Sequence, residues 1–180
     1  MKIDKKALRH TMRERNRALS AVERSAAAER IFRCVERLPQ FEQARCVAAF
    51  CALSDEPTSQ EALQRWIAGG RRVVVPRVEG DEMQFYDYLP EGVARGAFGI
   101  DEPTAEARRC LPSEIDLVVV PGVAFTREGM RLGRGRGYYD KYLAQRDFRA
   151  YTVGVGYAHQ LTENLPTEPH DRRLDEVVCL

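Results

Sequence analysis

The sequence predicts an α/β fold, a single three-layer domain spanning residues 1–180, with an open, mostly parallel, Rossmann-like sheet and helices on both faces. Three observations predict it. Short valine-rich runs suited to buried strands alternate with amphipathic helical stretches. The clearest such run, Asp116–Val120, empties into a turn rich in glycine and arginine, as ligand-binding turns do at the carboxyl ends of parallel strands. A chain of 180 residues, 44% hydrophobic and 31% charged, can enclose one core and is too apolar for disorder.

The elements follow in order. Residues 4–19 read as a basic amphipathic helix with Ala7, Leu8 and Met12 on one side. Ser20 and Glu23 have capping-box spacing, so a second helix runs from there to about Leu38, its stripe being Val22, Ala26, Ile31, Val35 and Leu38, with Pro39 closing it. Cys46–Leu53 reads as a buried strand, broken by S-D-E-P-T at 54–58. Thr58 and Glu61 then start a helix carrying Ala62, Leu63, Trp66 and Ile67, which Gly69-Gly70 ends. Arg72–Val75 is a second buried strand stopped by Pro76, and Met83–Leu89 a third, more exposed one. Pro90–Pro112 shows no sustained period and reads as loop. After the 116–120 strand comes the loop 127–140, then a helix from about Tyr138 and strands at Thr152–Tyr157 and Glu176–Leu180.

Bulk properties exclude several classes of function. Twenty-eight basic against 27 acidic residues leave a net charge of +1, which argues against a surface built wholly for nucleic acid or anionic lipid. No apolar run approaches the roughly 20 residues of a membrane span, and the basic start has no apolar stretch behind it to make a secretory signal. Five scattered cysteines without C-x-x-C spacing fit reduced, buried thiols and a cytoplasmic protein. Three dispersed histidines do not suggest zinc; His170-Asp171 could form a catalytic pair, but a lone His-Asp dipeptide is more often surface hydrogen bonding.

The chemistry concentrates in R-L-G-R-G-R-G-Y-Y-D at 131–140. Gly133, Gly135 and Gly137 permit positive φ and close backbone approach, and Arg134 and Arg136 supply planar donors for phosphate oxygens. The spacing is neither GxxxxGK[ST] nor GxGxxG. A flexible basic loop would have the same composition; its place directly after a buried strand favours phosphate. Asp140 sits where it could hold a cation bridging phosphates. Lys5 and Arg9, four apart, share one helix face. Glu56 follows a strand end, where a carboxylate could meet a polar ligand edge. Met83, Phe85, Tyr138, Tyr139 and Phe98 suit either a flat apolar pocket or the core.

Together these segments resemble the 5-formyltetrahydrofolate cyclo-ligase (5,10-methenyltetrahydrofolate synthetase) family. The resemblance rests on Lys5 and Arg9, E-P-T at 56–58, V-V-V-P-R-V at 73–78 with M-Q-F at 83–85, and F-G-I-D-E-P at 98–103. It continues through the block at 116–140, V-G-V-G-Y-A-H-Q at 153–160 and L-P-T-E-P-H-D-R-R-L-D-E-V-V at 165–178. It implies ATP- and Mg²⁺-dependent conversion of 5-formyltetrahydrofolate to 5,10-methenyltetrahydrofolate. ATP would be bound by Lys5, Arg9 and the run Arg131, Leu132, Gly133, Arg134, Gly135, Arg136, Gly137, Tyr138 and Tyr139. Arg134 and Arg136 would stabilise the transferring phosphoryl group, and Asp140 and Asp175 would hold the metal. Cys51, Glu56, Met83, Phe85 and Tyr139 would form the folate pocket. The partners implied are these small molecules, with no nucleic acid or membrane and a monomeric chain. The alternative is a nucleotide- or RNA-binding module that uses the arginine-rich loop without cyclo-ligase activity; no basic strand interleaved with aromatics supports it.

Overall fold

The computed structural model describes residues 4–96 and 99–180; Phe98 lies outside them. The elements are α1 (Lys5–Ala18), α2 (Ala21–Glu36), α3 (Pro39–Gln43), β1 (Cys46–Ala48), α4 (Gln60–Ala68), β2 (Arg72–Glu79) and β3 (Glu82–Asp87). They continue as β4 (Val93–Arg95), β5 (Asp101–Pro103), β6 (Arg109–Cys110), β7 (Leu117–Pro121), β8 (Ala124–Phe125), β9 (Arg131–Leu132), α5 (Tyr138–Leu143), β10 (Tyr151–Gly156) and β11 (Glu176–Cys179). Seven strands form one sheet in the order β11-β10-β7-β1-β2-β3-β6, parallel from β11 to β2, with β3 antiparallel to both of its neighbours. The expected mixed, mostly parallel α/β architecture is what the chain forms.

The valine runs are buried because each strand is covered on both faces. Val73, Val75 and Val119 point into a core with Ile31, Phe32 and Val35 of α2 and Leu63 and Trp66 of α4. Val74, Val118 and Val120 point the other way, toward Phe85, Phe125 and Tyr142 of α5. Alternate residues of one strand thus serve two cores. A third cluster lies beyond the carboxyl ends of the strands, where Met12 of α1 packs on Val123, Ala124 and Leu132. No helix among the described residues is long and apolar enough to cross a membrane.

Several expectations change. The Ser20–Glu23 capping box forms, but the buried stripe of α2 runs through Ala27, Ala28, Ile31, Phe32 and Val35, and Val22 is 78% exposed. The helix stops at Glu36, and Pro39 opens α3, a first-turn position where its missing N–H costs nothing. The first strand is only Cys46–Ala48, because the chain leaves the sheet after the Ala49 amide bonds the Val74 carbonyl. α4 begins at Gln60, and its preceding Ser59 hydroxyl donates to the Phe50 carbonyl instead of capping. Pro76 does not stop β2: it pairs opposite Phe85, and β1, on its other side, has already ended. β3 is buried from Met83 to Tyr86. The stretch read as loop contributes the β4–β5 hairpin and the edge strand β6, and the 121–137 turn contains the β8–β9 hairpin.

Gly129, at the tip of that hairpin, has φ +92°, and a Cβ there would lie 2.1 Å from the Leu174 carbonyl oxygen. Its own carbonyl accepts the Leu174 amide at 2.8 Å, which pins the 168–174 segment beside the hairpin. Gly129→Ala therefore strains the backbone and prises that segment away, and thermal unfolding should fall by about 5–10 °C. An unchanged melting temperature would contradict this packing.

Candidate active site

The strand order creates the site. After β1 the chain fills one side of the sheet with β2, β3 and β6, then returns to place β7 on the other side of β1. Loops leaving the carboxyl ends of β1 and β7 diverge, and in open α/β sheets such a switch point opens a crevice. Here it is a cleft of about 650 Å³ between residues 50–56 and 121–140, roofed by the first half of α1 and bounded by 168–172.

At one end are the polar groups expected to meet phosphate. Gly135 and Gly137 have φ of +105° and +71°, which only glycine adopts readily, so the loop can turn its backbone toward the cleft. Arg9 of α1 donates from Nε to the Gly133 carbonyl at 2.8 Å and so docks α1 on the loop. Lys5, one turn earlier, lies 2.8 Å from Glu168 and 3.8 Å from Asp171. Arg136 is exposed at the rim, and Tyr138 lines the cleft. Two residues of the run line the cleft while being largely buried. Leu132 is buried near Met12, and the Arg131 side chain is only 5% exposed, donating to the Pro121 carbonyl at 3.1 Å and to Asp140 at 3.3 Å. Burial holds the Arg131 guanidinium below its ordinary pKa, with Asp140 opposing the shift.

Phe50, Cys51, Leu53, Pro76, Val78, Met83, Ile100 and Tyr139 line the other, apolar end. Burial pushes the Cys51 thiol up to about 12, so it is a neutral wall and not a nucleophile. The Tyr139 hydroxyl is buried, has no hydrogen-bond partner among the described residues, and is pushed up in pKa by burial first and then by Glu56. An orphaned hydroxyl in a cleft wall is a natural contact for a polar ligand atom. Phe85, expected in this pocket, is not there. It shares a β3 face with Met83 but lies two residues deeper, sealed under Tyr142 with ring centroids 4.8 Å apart.

Arg134 joins the two ends. Its Nε and Nη2 donate to Glu56 Oε1 at 3.1 and 2.9 Å, and its Nη1 and Nη2 to the two Asp55 oxygens at 3.3 and 2.7 Å. Glu56 Oε2 accepts the Leu53 amide at 2.9 Å. Burial raises the Glu56 pKa above its ordinary value, and Arg134 and the Leu53 amide pull against that rise. Burial likewise works against the charge on Arg134, but Glu56 and Asp55 outweigh it and the pKa is raised.

The structure separates the two carboxylates expected at a metal. Asp140 is in the cleft, where its Oδ1 accepts the Arg172 amide at 3.1 Å. Asp175 lies at the opposite, amino-terminal end of β10 and β11, where its Oδ2 accepts both the amide and the hydroxyl of Thr152 at 2.8 Å. The cleft carboxylate of this segment is Asp171, its side chain 13% exposed, next to the residue whose amide holds Asp140. Glu168, His170 and Asp171 place their ligand atoms within 4.8 Å of one another, yet the Lys5 ammonium already sits against two of them. Sequence reading missed Asp55 and Glu102, a cleft-lining carboxylate 9% exposed whose pKa burial raises, and weighed Asp171 only as a partner of His170. The signal for Asp171 was the acidic E-P-H-D run; for Asp55, only its position beside Glu56.

Comparison with known proteins agrees with this geometry. The model of the 5-formyltetrahydrofolate cyclo-ligase family matches residues 1–180. The Escherichia coli (strain K12) 5-formyltetrahydrofolate cyclo-ligase is 33% identical over 93% of this chain and 95% of its own length. The Mus musculus enzyme of the same name is 27% identical over 97% and 92%. The solution structure of Aquifex aeolicus 5,10-methenyltetrahydrofolate synthetase superposes with a TM-score of 0.86 at 35% identity, covering 97% of this chain and 89% of that one. The family model spanning the whole chain, the relatives of the same name and the shared sheet place the chain in the 5-formyltetrahydrofolate cyclo-ligase family of ligases.

Proposed function

We propose that this chain converts 5-formyltetrahydrofolate to 5,10-methenyltetrahydrofolate at the expense of ATP, with Mg²⁺, releasing ADP and phosphate. The observation that carries the reading is that one cavity holds both a glycine-arginine loop and an apolar slot with a buried carboxylate, joined by the 2.9 Å Arg134–Glu56 ion pair. Two ligands can therefore lie end to end, with reacting atoms meeting near Arg134.

The chemistry follows from the substrate. A formamide oxygen is a poor leaving group. Its attack on the γ-phosphorus expels ADP and turns it into a phosphate ester. N10 then attacks the activated formyl carbon and gives up its proton, and phosphate departs, leaving the methenyl bridge. The protein's part is mainly positioning and neutralising charge. Lys5, Arg9 and the 133–137 backbone hold the polyphosphate, and Arg134 and Arg136 meet the charge that builds on the transferring group. Glu56 receives the donor edge of the pterin, and Cys51, Met83 and Tyr139 flank its ring. Asp140 and Asp171 supply hard oxygen donors on one rim of the phosphate end, a set that suits Mg²⁺, which binds through one or two carboxylates plus substrate phosphate. A cation held there would offset the negative charge of the bound phosphates.

Protein mixed with MgATP and 5-formyltetrahydrofolate should produce the near-ultraviolet absorbance of the methenyl product. ATP and Mg²⁺ should each be required. Absence of any ATP-dependent rise under reducing conditions would refute the reading.

A further inference from the structure

The Arg134–Glu56 pair poses a problem for the site as it stands, since each partner is needed by a different ligand. Arg134 spends four of the five donor hydrogens of its guanidinium on two carboxylates. Glu56 has both oxygens engaged, one by Arg134 and one by the Leu53 amide. A pterin donor edge can take Glu56 Oε1 only if Arg134 releases it. That release frees the Nε–Nη2 edge of Arg134, which is the edge a phosphate would occupy.

Asp55 is anchored to α1 through its backbone, and Arg134 is the partner of its carboxylate. The Asp55 carbonyl accepts Asn16 Nδ2 of α1 at 2.9 Å, and the other end of that amide, Oδ1, is 2.5 Å from His159 Nε2. Its side chain is 7% exposed and holds Nη1 and one hydrogen of Nη2, leaving Nε and the other Nη2 hydrogen to Glu56. We infer that Asp55 is a positioning residue that keeps Arg134 in the cleft when Glu56 turns to the folate, so that folate and nucleotide each favour binding of the other. This rests on the reading of the cleft as two adjoining substrate sites. The coupling is reciprocal: whatever factor the nucleotide contributes to folate affinity, folate contributes to nucleotide affinity.

The test is calorimetric titration of 5-formyltetrahydrofolate into the protein, with and without a saturating Mg²⁺ complex of the β,γ-methylene analogue of ATP, which keeps the γ-phosphate and cannot transfer it. In the unaltered protein this analogue should tighten folate binding by about tenfold. In Asp55→Asn, which keeps the shape and removes the charge, that ratio should fall to about one, while folate affinity without nucleotide stays within about twofold. The same variant should raise KM for ATP more than it lowers kcat. A merely structural Asp55 would weaken both ligands together and leave the ratio intact, and that result overturns the inference. So does a ratio of about one in the unaltered protein, which needs no variant. If the unaltered protein turns over but shows no coupling, the inference alone fails. If it neither binds the folate nor makes methenyl product, the functional reading fails with it.

Discussion

Arg134→Ala is expected to lower turnover of MgATP and 5-formyltetrahydrofolate by about 100- to 1,000-fold, the range seen when one preorganised donor to a developing charge is removed. No neighbour can replace it. Arg131 is committed to Asp140 and the Pro121 carbonyl beneath the loop, and Arg136 lies out on the rim. Stability should also suffer, in a way that depends on pH. The truncation leaves Asp55 and Glu56 buried without their cation, and an uncompensated buried charge is costly. The Glu56 pKa is already raised by burial, and losing Arg134 raises it further. A carboxyl whose folded pKa lies above its unfolded value holds its proton more readily when folded, so its contribution to stability is lost as pH rises through the folded pKa. The gap in melting temperature between variant and parent should therefore be wider at about pH 8 than at about pH 5.5. A gap that narrows with rising pH, or turnover within about tenfold of the parent, would count against the role given to Arg134.

The second large effect distinguishes two aspartates four residues apart. Asp171→Ala should cost about 100-fold in turnover at limiting Mg²⁺, partly recovered by excess Mg²⁺, with little change in melting temperature. Asp175→Ala should do the reverse. It removes the carboxylate that joins Thr152 to the start of β11, so melting should fall by about 3–6 °C while Mg²⁺ dependence is unchanged. Equal kinetic losses in both variants would refute the assignment, because Asp175 lies at the far end of the sheet.

What the sequence revealed, and what it concealed, divides along physical lines. The valine runs and the Ser20–Glu23 cap are local patterns whose meaning depends on few other residues: the runs become strands, although β2 continues past Pro76, and the cap forms. Depth is not local. Met83 and Phe85 share a strand face, but only the packing of Tyr142 decides which of them borders the cleft. Asp171 and Asp175 differ only by where the chain passes between Leu161 and Glu176, a stretch with little regular structure. The two-residue strand β6 exists because β3 offers it a pairing edge, and no propensity within Arg109-Cys110 announces that. Arg131 looks the equal of Arg134 in the motif, yet it is tied to Pro121 and Asp140 with its side chain only 5% exposed, while Arg134 is tied to Asp55 and Glu56.

The placing of β7 beside β1, after the chain has built outward through β6, also governs when the site comes into being. Asp55 and Glu56 meet Arg134 across separations of 79 and 78 residues. In a nascent chain grown only as far as Cys110, the arginine that pairs with these two acidic groups belongs to sequence still to be made. Bringing such distant segments together is entropically late work in folding. The amino-terminal half thus carries most of the apolar end of the cleft, but the Arg134 contacts that join its two ends wait on the loop after β7.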